Sequence, residues 1–162
     1  MKKILITIIF SLTTTVSFAD GHTSGKFNAS GMGAWEVNAM NAGKGDMAIT
    51  YDGIAGLTDE TPDSIFHKST MHCIGGLTLQ AGKFTDETGM CRFDLFDGES
   101  VYMKYEGEGT GGVGGTGTFI IMKGTGKYEN ITGTGFSSRQ NLMTKAPGFS
   151  TSLNQMSGEY RY

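Results

Sequence analysis

Helical periodicity is missing from this chain. No window of about eleven residues carries an apolar stripe at helical spacing, so helices are expected to be scarce, with one turn around residues 126–130 as the single candidate. Proline is nearly absent, two residues of 162, and the 26 glycines follow no triplet period, which excludes a collagen-like chain. Lysine and arginine number 13 against 16 acidic residues, and the mild acidity argues against a nucleic-acid partner, which wants clustered basic side chains. Chemistry-bearing motifs are equally thin. There is no Cys-x-x-Cys and no Gly-x-Ser-x-Gly elbow. The acidic trio Asp97, Glu99 and Asp94 is broken by Phe96 out of calcium-loop spacing. Three histidines, His22, His67 and His72, offer no shared face for a metal, so no metal and no cofactor are expected.

The N-terminus is the clearest positive signal. Lys2 and Lys3 precede an apolar run from Ile4 to Phe10 that trails to Val16 and closes on Ser17-Phe18-Ala19. Small residues at the two positions a signal peptidase reads predict a signal peptide over residues 1–19, cleaved after Ala19. The run is interrupted by Ser11 and threonines and falls short of the ~20 residues of a spanning helix, so no membrane span is expected in the mature form. The expected location is periplasmic or secreted. In an oxidising compartment the two cysteines, Cys73 and Cys91, are expected to form a disulfide.

Residues 20–31 look like a flexible start, and residues 32–162 like one domain. Glycines interleaved with short apolar stretches are the pattern of an all-β barrel or sandwich. Trp35, Val37 and Ala39 alternate with polar neighbours, as do Met47, Ile49 and Tyr51. Residues 53–63, with Pro62, are expected to be a polar loop, and a strand resumes at Ile65.

Asp97-Gly98 marks a hairpin. A two-residue turn mixes polar and apolar side chains on both faces, whereas a three-residue loop, Asp97-Gly98-Glu99, places Cys91, Phe93, Leu95, Val101, Met103 and Tyr105 on one face. Arg92, Asp94, Tyr102, Lys104 and Glu106 then share the other. With Cys91 inward, Cys73 must point inward too. Alternation then carries Met71, Ser69 and His67 to the interior, where His67 is either a titratable site residue or a core histidine bonded to a backbone carbonyl.

Residues 107–117 are dominated by glycine. Gly109, Gly111 and Gly114 satisfy the dinucleotide spacing, but a strand pattern, Thr118 to Met122, follows where that fingerprint needs a helix. The glycines are expected instead to let a strand bend or bulge at a barrel corner. Gly114-Gly115-Thr116-Gly117-Thr118-Phe119 and the run from Lys123-Gly124-Thr125-Gly126 through Asn130-Ile131-Thr132-Gly133-Thr134-Gly135, with the segment Cys91 to Ser100, resemble the allene oxide cyclase and dirigent barrel superfamily, and its small secreted bacterial members above all. The resemblance covers about residues 89–136. It implies a single antiparallel eight-stranded β-barrel, calycin-like, with an open cavity and frequent assembly into homo-oligomers. No functional residue of the plant cyclase is carried onto this chain.

The expected function is therefore an extracytoplasmic barrel that binds a small, largely apolar ligand, lined by Trp35, His67, Met71, Phe93, Met103 and Tyr105. The alternatives are a cofactor-free isomerase or cyclase and a structural, oligomer-forming protein with a filled barrel.

Overall fold

The computed structural model describes residues 23–61 and 63–162; the expected signal peptide and cleavage point lie outside them, as does Pro62. Eight strands run in order around a closed antiparallel barrel: β1 (Ser24–Gly43), β2 (Asp46–Asp59), β3 (Ser69–Leu79), β4 (Lys83–Asp94), β5 (Ser100–Thr110), β6 (Gly114–Gly124), β7 (Thr132–Leu142) and β8 (Phe149–Arg161). Closure comes from β1 pairing with β8, Ser24 opposite Arg161 through Glu36 opposite Phe149. Closing the sheet leaves no edge strand to be protected. The one helical element among the described residues is a 3₁₀ turn at Gly126–Tyr128, where a single turn was expected.

Strand β1 begins at Ser24, so residues 24–31 are strand rather than a flexible start. Their inward positions are Phe27 and Ala29, both buried, and the β8 ladder satisfies their backbone. The expected loop at 53–63 is also shorter. Strand β2 continues to Asp59, and Gly53, the first residue of the expected loop, is instead the slot beside Trp35 where a Cβ would lie 2.7 Å from the Trp35 Cα.

The hairpin between β4 and β5 keeps the predicted faces with a longer loop. Asp94 pairs with Ser100 and Cys91 with Met103, so five residues, Leu95 to Glu99, form the connection. Leu95 N–H donates to the Glu99 carbonyl (2.9 Å), Gly98 N–H donates to the Leu95 carbonyl (3.0 Å), and Gly98 takes φ +89°. Three and five residues have the same parity, which is why Phe93, Val101 and Met103 still point inward. Cys73 lies directly opposite Cys91 and is bonded to it across β3 and β4, with Cα atoms 4.0 Å apart.

The barrel has two unlike halves. At one end the β2–β3 connection folds Phe66 into the bore, where it is fully buried and packs on Phe27 (4.5 Å between ring centres), Phe93 (5.3 Å) and Tyr160 (6.0 Å). Leu57, Val101, Ile131 and Tyr128 complete this plug. Burial of these side chains, about 1.5–3 kcal/mol each, is the main stabilisation of that half. At the other end the turns β1–β2, β3–β4, β5–β6 and β7–β8 surround an opening.

The same β2–β3 turn corrects the position of His67. Strand β3 starts at Ser69, not Ile65, and Lys68 adopts φ +58°, which ends the alternation that was to bring His67 inside. His67 lies at the turn, half-buried, with Nδ1 2.9 Å from the Asp59 carbonyl oxygen. It is tied to backbone, and outside the cavity.

Candidate functional site: a charged pair inside the open half

The open half is built from rows of residues running around the barrel across neighbouring strands. Tyr51 on β2 is followed by Gly75 on β3, Gly89 on β4 and Tyr105 on β5. The two glycines carry nothing between the phenols. A Cβ on either would lie 2.2 Å from the Tyr105 hydroxyl, so the two hydroxyls meet only because both positions are glycine. Tyr51 and Tyr105 are hydrogen-bonded through their phenol oxygens.

Glu87 joins them. The β4–β5 register slips between Phe84 and Glu87, and this bulge lets both side chains point inward, Glu87 with only 6% of its surface exposed. Tyr51 donates to Glu87 Oε1 (2.6 Å). Across the bore, Arg139 on β7 donates from Nη1 to Glu87 Oε1 (2.6 Å) and from Nη2 to Oε2 (3.3 Å). The strands between them contribute glycine: Gly107 and Gly117 on the row of Glu87, Gly109 and Gly115 on the row of Arg139. A Cβ at Gly109 or Gly115 would meet the Phe84 ring (2.6 and 2.9 Å), and one at Gly107 would lie 3.2 Å from Glu87 Oε2. The glycine-rich stretch is thus a hairpin, β5 to β6 through the turn at residues 111–113, and the β4 bulge lies on its neighbour rather than within it.

Burial and the two neighbouring groups push the Tyr51 phenol far above its ordinary value, and burial chiefly raises Tyr105 to about 12. Burial alone works against the Arg139 charge, but the Glu87 carboxylate outweighs it and the guanidinium is held more firmly protonated than usual. A buried carboxylate and a half-buried guanidinium with bidentate geometry are a stable combination only when both remain.

Two spaces flank this layer. A chamber of about 80 Å³ lies on its inner side, lined by Tyr51, Glu87, Tyr105, Met71, Met103 and the Cys73–Cys91 bridge, among others. A mouth of about 200 Å³ lies on its outer side, walled by Val37, Ile49, Leu77, Leu79 and Phe84. Trp35, Tyr51 and Arg139 border both. Trp35 is fixed by donating from Nε1 to Ser152 Oγ (2.8 Å), which in turn donates to Asn154 Oδ1 (3.2 Å).

Of the six residues expected to line a ligand cavity, the structure brings Trp35, Met71, Met103 and Tyr105 together around the chamber. Phe93 is inward but belongs to the aromatic plug, and His67 lies outside. Sequence reasoning missed Glu87 and Arg139. Counting back by twos from Cys91 reaches Glu87, and counting forward by twos from Ile131 reaches Arg139, so alternation alone put two charges on the inner face.

Outside the barrel, Arg92 pairs with Asp94 (3.0 Å) and Lys104 with Glu106 (3.2 Å), the exposed charge ladder expected from the alternation. His72 contacts Asp52 (2.7 Å) on the same outer surface. Among the described residues no three metal-ligating side chains converge, and no helix is long and apolar enough to cross a membrane. Comparison of the sequence with protein-family models and with curated proteins finds no match.

Proposed function

We propose that this chain is an exported, extracytoplasmic barrel of the allene oxide cyclase-like type that binds one small, largely apolar molecule in the open half of its bore. The observation that carries this is the apolar mouth opening onto the Trp35–Tyr51–Arg139 layer. Hydrocarbon walls with a few fixed polar groups at the base are the usual make-up of a small-molecule site. A mouth of about 200 Å³ suits a ligand of one ring, since a cavity of ~150 Å³ accommodates benzene. A long acyl chain has to extend beyond it.

A second reading, a cofactor-free isomerase, is favoured by the buried Glu87 carboxylate beside two phenols. Against it, every buried side-chain polar atom among the described residues already has a hydrogen-bond partner, as in a centre built to hold rather than to exchange protons. Self-association is supported by apolar side chains on the outer wall, where exposed Met32 lies opposite Leu153 and Ile74 opposite Met90.

The test is a thermal-shift screen of the mature protein against fatty acids, terpenoids and small aromatics, with Val37→Arg as the blocked-mouth control. A ligand that raises Tm in the wild type and not in the control supports the reading. No shift across the panel moves the assignment to a structural barrel.

A further inference from the structure

The hydrogen-bond chain in the open half has a direction, and proton counting fixes it. Glu87, paired to Arg139 through both oxygens, carries no proton to give. The one proton of the Tyr51 phenol goes to Glu87 Oε1. The bond between the two phenols must then be donated by Tyr105, whose only proton is used there. Tyr105 therefore borders the chamber with an oxygen that can accept and cannot donate. Because the chain ends on a carboxylate, each bond polarises the next, and the Tyr105 oxygen is a stronger acceptor than an isolated phenol.

We infer that the chamber beside Tyr105, about 80 Å³, takes a small neutral alcohol, whose O–H donates to the Tyr105 oxygen while its short apolar body lies against the surrounding hydrocarbon and sulfur side chains. This rests on the ligand-binding reading above and narrows it. A carboxylate is disfavoured on two grounds. It has no proton to give to Tyr105, and both terminal nitrogens of Arg139, the single cation bordering the chamber, are already engaged by Glu87. A second anion would be placed beside Glu87 without compensation. An ether or ketone of equal size fits sterically but leaves two acceptors facing each other. Met71, Met103, Phe119 and Met156 around the chamber favour a compact apolar body.

The experiment uses three probes of four non-hydrogen atoms each, sized to a chamber of about 80 Å³: isopropanol, methoxyethane and acetate. Trp35 is the only tryptophan and borders both spaces, so its fluorescence reports occupancy. Isopropanol is expected to bind at least about tenfold more tightly than either analogue, the size of one well-formed hydrogen bond. Tyr105→Phe should erase that preference while leaving the ether's affinity unchanged. Glu87→Gln should erase it by strengthening the ether: with Arg139 holding the amide oxygen, the amide nitrogen donates to Tyr51, both phenols turn around, and Tyr105 offers its proton to alcohol and ether alike. Equal binding of alcohol and ether by the wild type overturns the inference and leaves the ligand-binding reading standing. Failure of isopropanol to bind where members of the wider panel do has the same meaning. No binding by any compound overturns both.

Discussion

Replacing Arg139 with methionine separates a buried ion pair from one that merely appears in the geometry. Met matches the stem of Arg and fills the bore, but it leaves the Glu87 carboxylate, 6% exposed, with Tyr51 as its remaining side-chain partner. Stranding a buried charge in this way costs about 3–5 kcal/mol. Glu87→Gln strands the guanidinium instead. The Arg139 side chain keeps the amide oxygen as a partner, is 23% exposed and borders the mouth, so the expected cost is lower, roughly 2 kcal/mol. The double variant loses both charges and should be less destabilised than the sum, by at least about 2 kcal/mol. The sign of the pH dependence distinguishes the two single variants. In Arg139→Met the penalty exists only while the carboxylate is ionised, so it should be larger at neutral pH than in acid, because a protonated Glu87 carries no charge to strand. Glu87→Gln has no such group and its deficit should be flat, since arginine does not titrate. Urea titrations of the three variants at pH 7 and at mildly acidic pH measure all of this. Additive costs within about 0.5 kcal/mol, or a pH-independent Arg139→Met, would falsify the buried-pair account.

Three further outcomes follow from the same layer and its surroundings. Four of the six tyrosines, Tyr51, Tyr105, Tyr128 and Tyr160, have raised phenol pKa values. Their contribution to stability is full below about pH 10, the unfolded value, and is lost as pH rises through about 12; phenolate absorbance should show them titrating late and together with unfolding, and early independent titration of all six contradicts it. Gly75→Ala places a Cβ 2.2 Å from the Tyr105 hydroxyl and 2.7 Å from that of Tyr51, so it should cost about 1–3 kcal/mol in chemical denaturation, with Tyr105→Phe recovering part of the loss. Reduction of Cys73–Cys91, which spans 18 residues, should lower stability by roughly 3 kcal/mol without opening the barrel, measured as a Tm shift with unchanged far-ultraviolet dichroism.

What the sequence revealed depended on parity. Cys91, Phe93, Val101 and Met103 form an inward set for any odd loop, so the hairpin faces were legible even though the loop is two residues longer than expected, and the disulfide, expected from the cysteine count, carried the same parity to Met71 on β3. Parity also has limits. Phe84 and Glu87 differ by an odd number yet both face inward, because a bulge separates them, and no residue type announces that bulge. His67 was misplaced because Lys68 takes a left-handed conformation that nothing in the sequence marks. The loop was expected to begin at Gly53 because a glycine that admits a neighbouring indole is indistinguishable in sequence from one that ends a strand. Glu87 and Arg139 were passed over for a different reason. Charge argues for solvent, and the two reach each other only across intervening strands, so neither local pattern nor spacing connects them.

The glycines of the open half tie its cavity to its charge. An eight-stranded bore is just wide enough for side chains to fill it, as the Phe27–Phe66–Phe93 plug does at the opposite end. Open space therefore requires inward positions without side chains, and Gly75, Gly89, Gly107 and Gly117 supply them. The same vacancies let Tyr105 lie across to Tyr51 and Arg139 reach Glu87. A side chain at Gly107, for example, would place its Cβ 3.2 Å from Glu87 Oε2 and 3.0 Å from the Thr116 carbonyl oxygen, narrowing the space and pressing on the carboxylate at once. Substitutions that fill the open half should thus disturb the hydrogen-bond chain before they abolish the cavity, and a ligand entering it meets polar groups whose orientation the empty positions have already set.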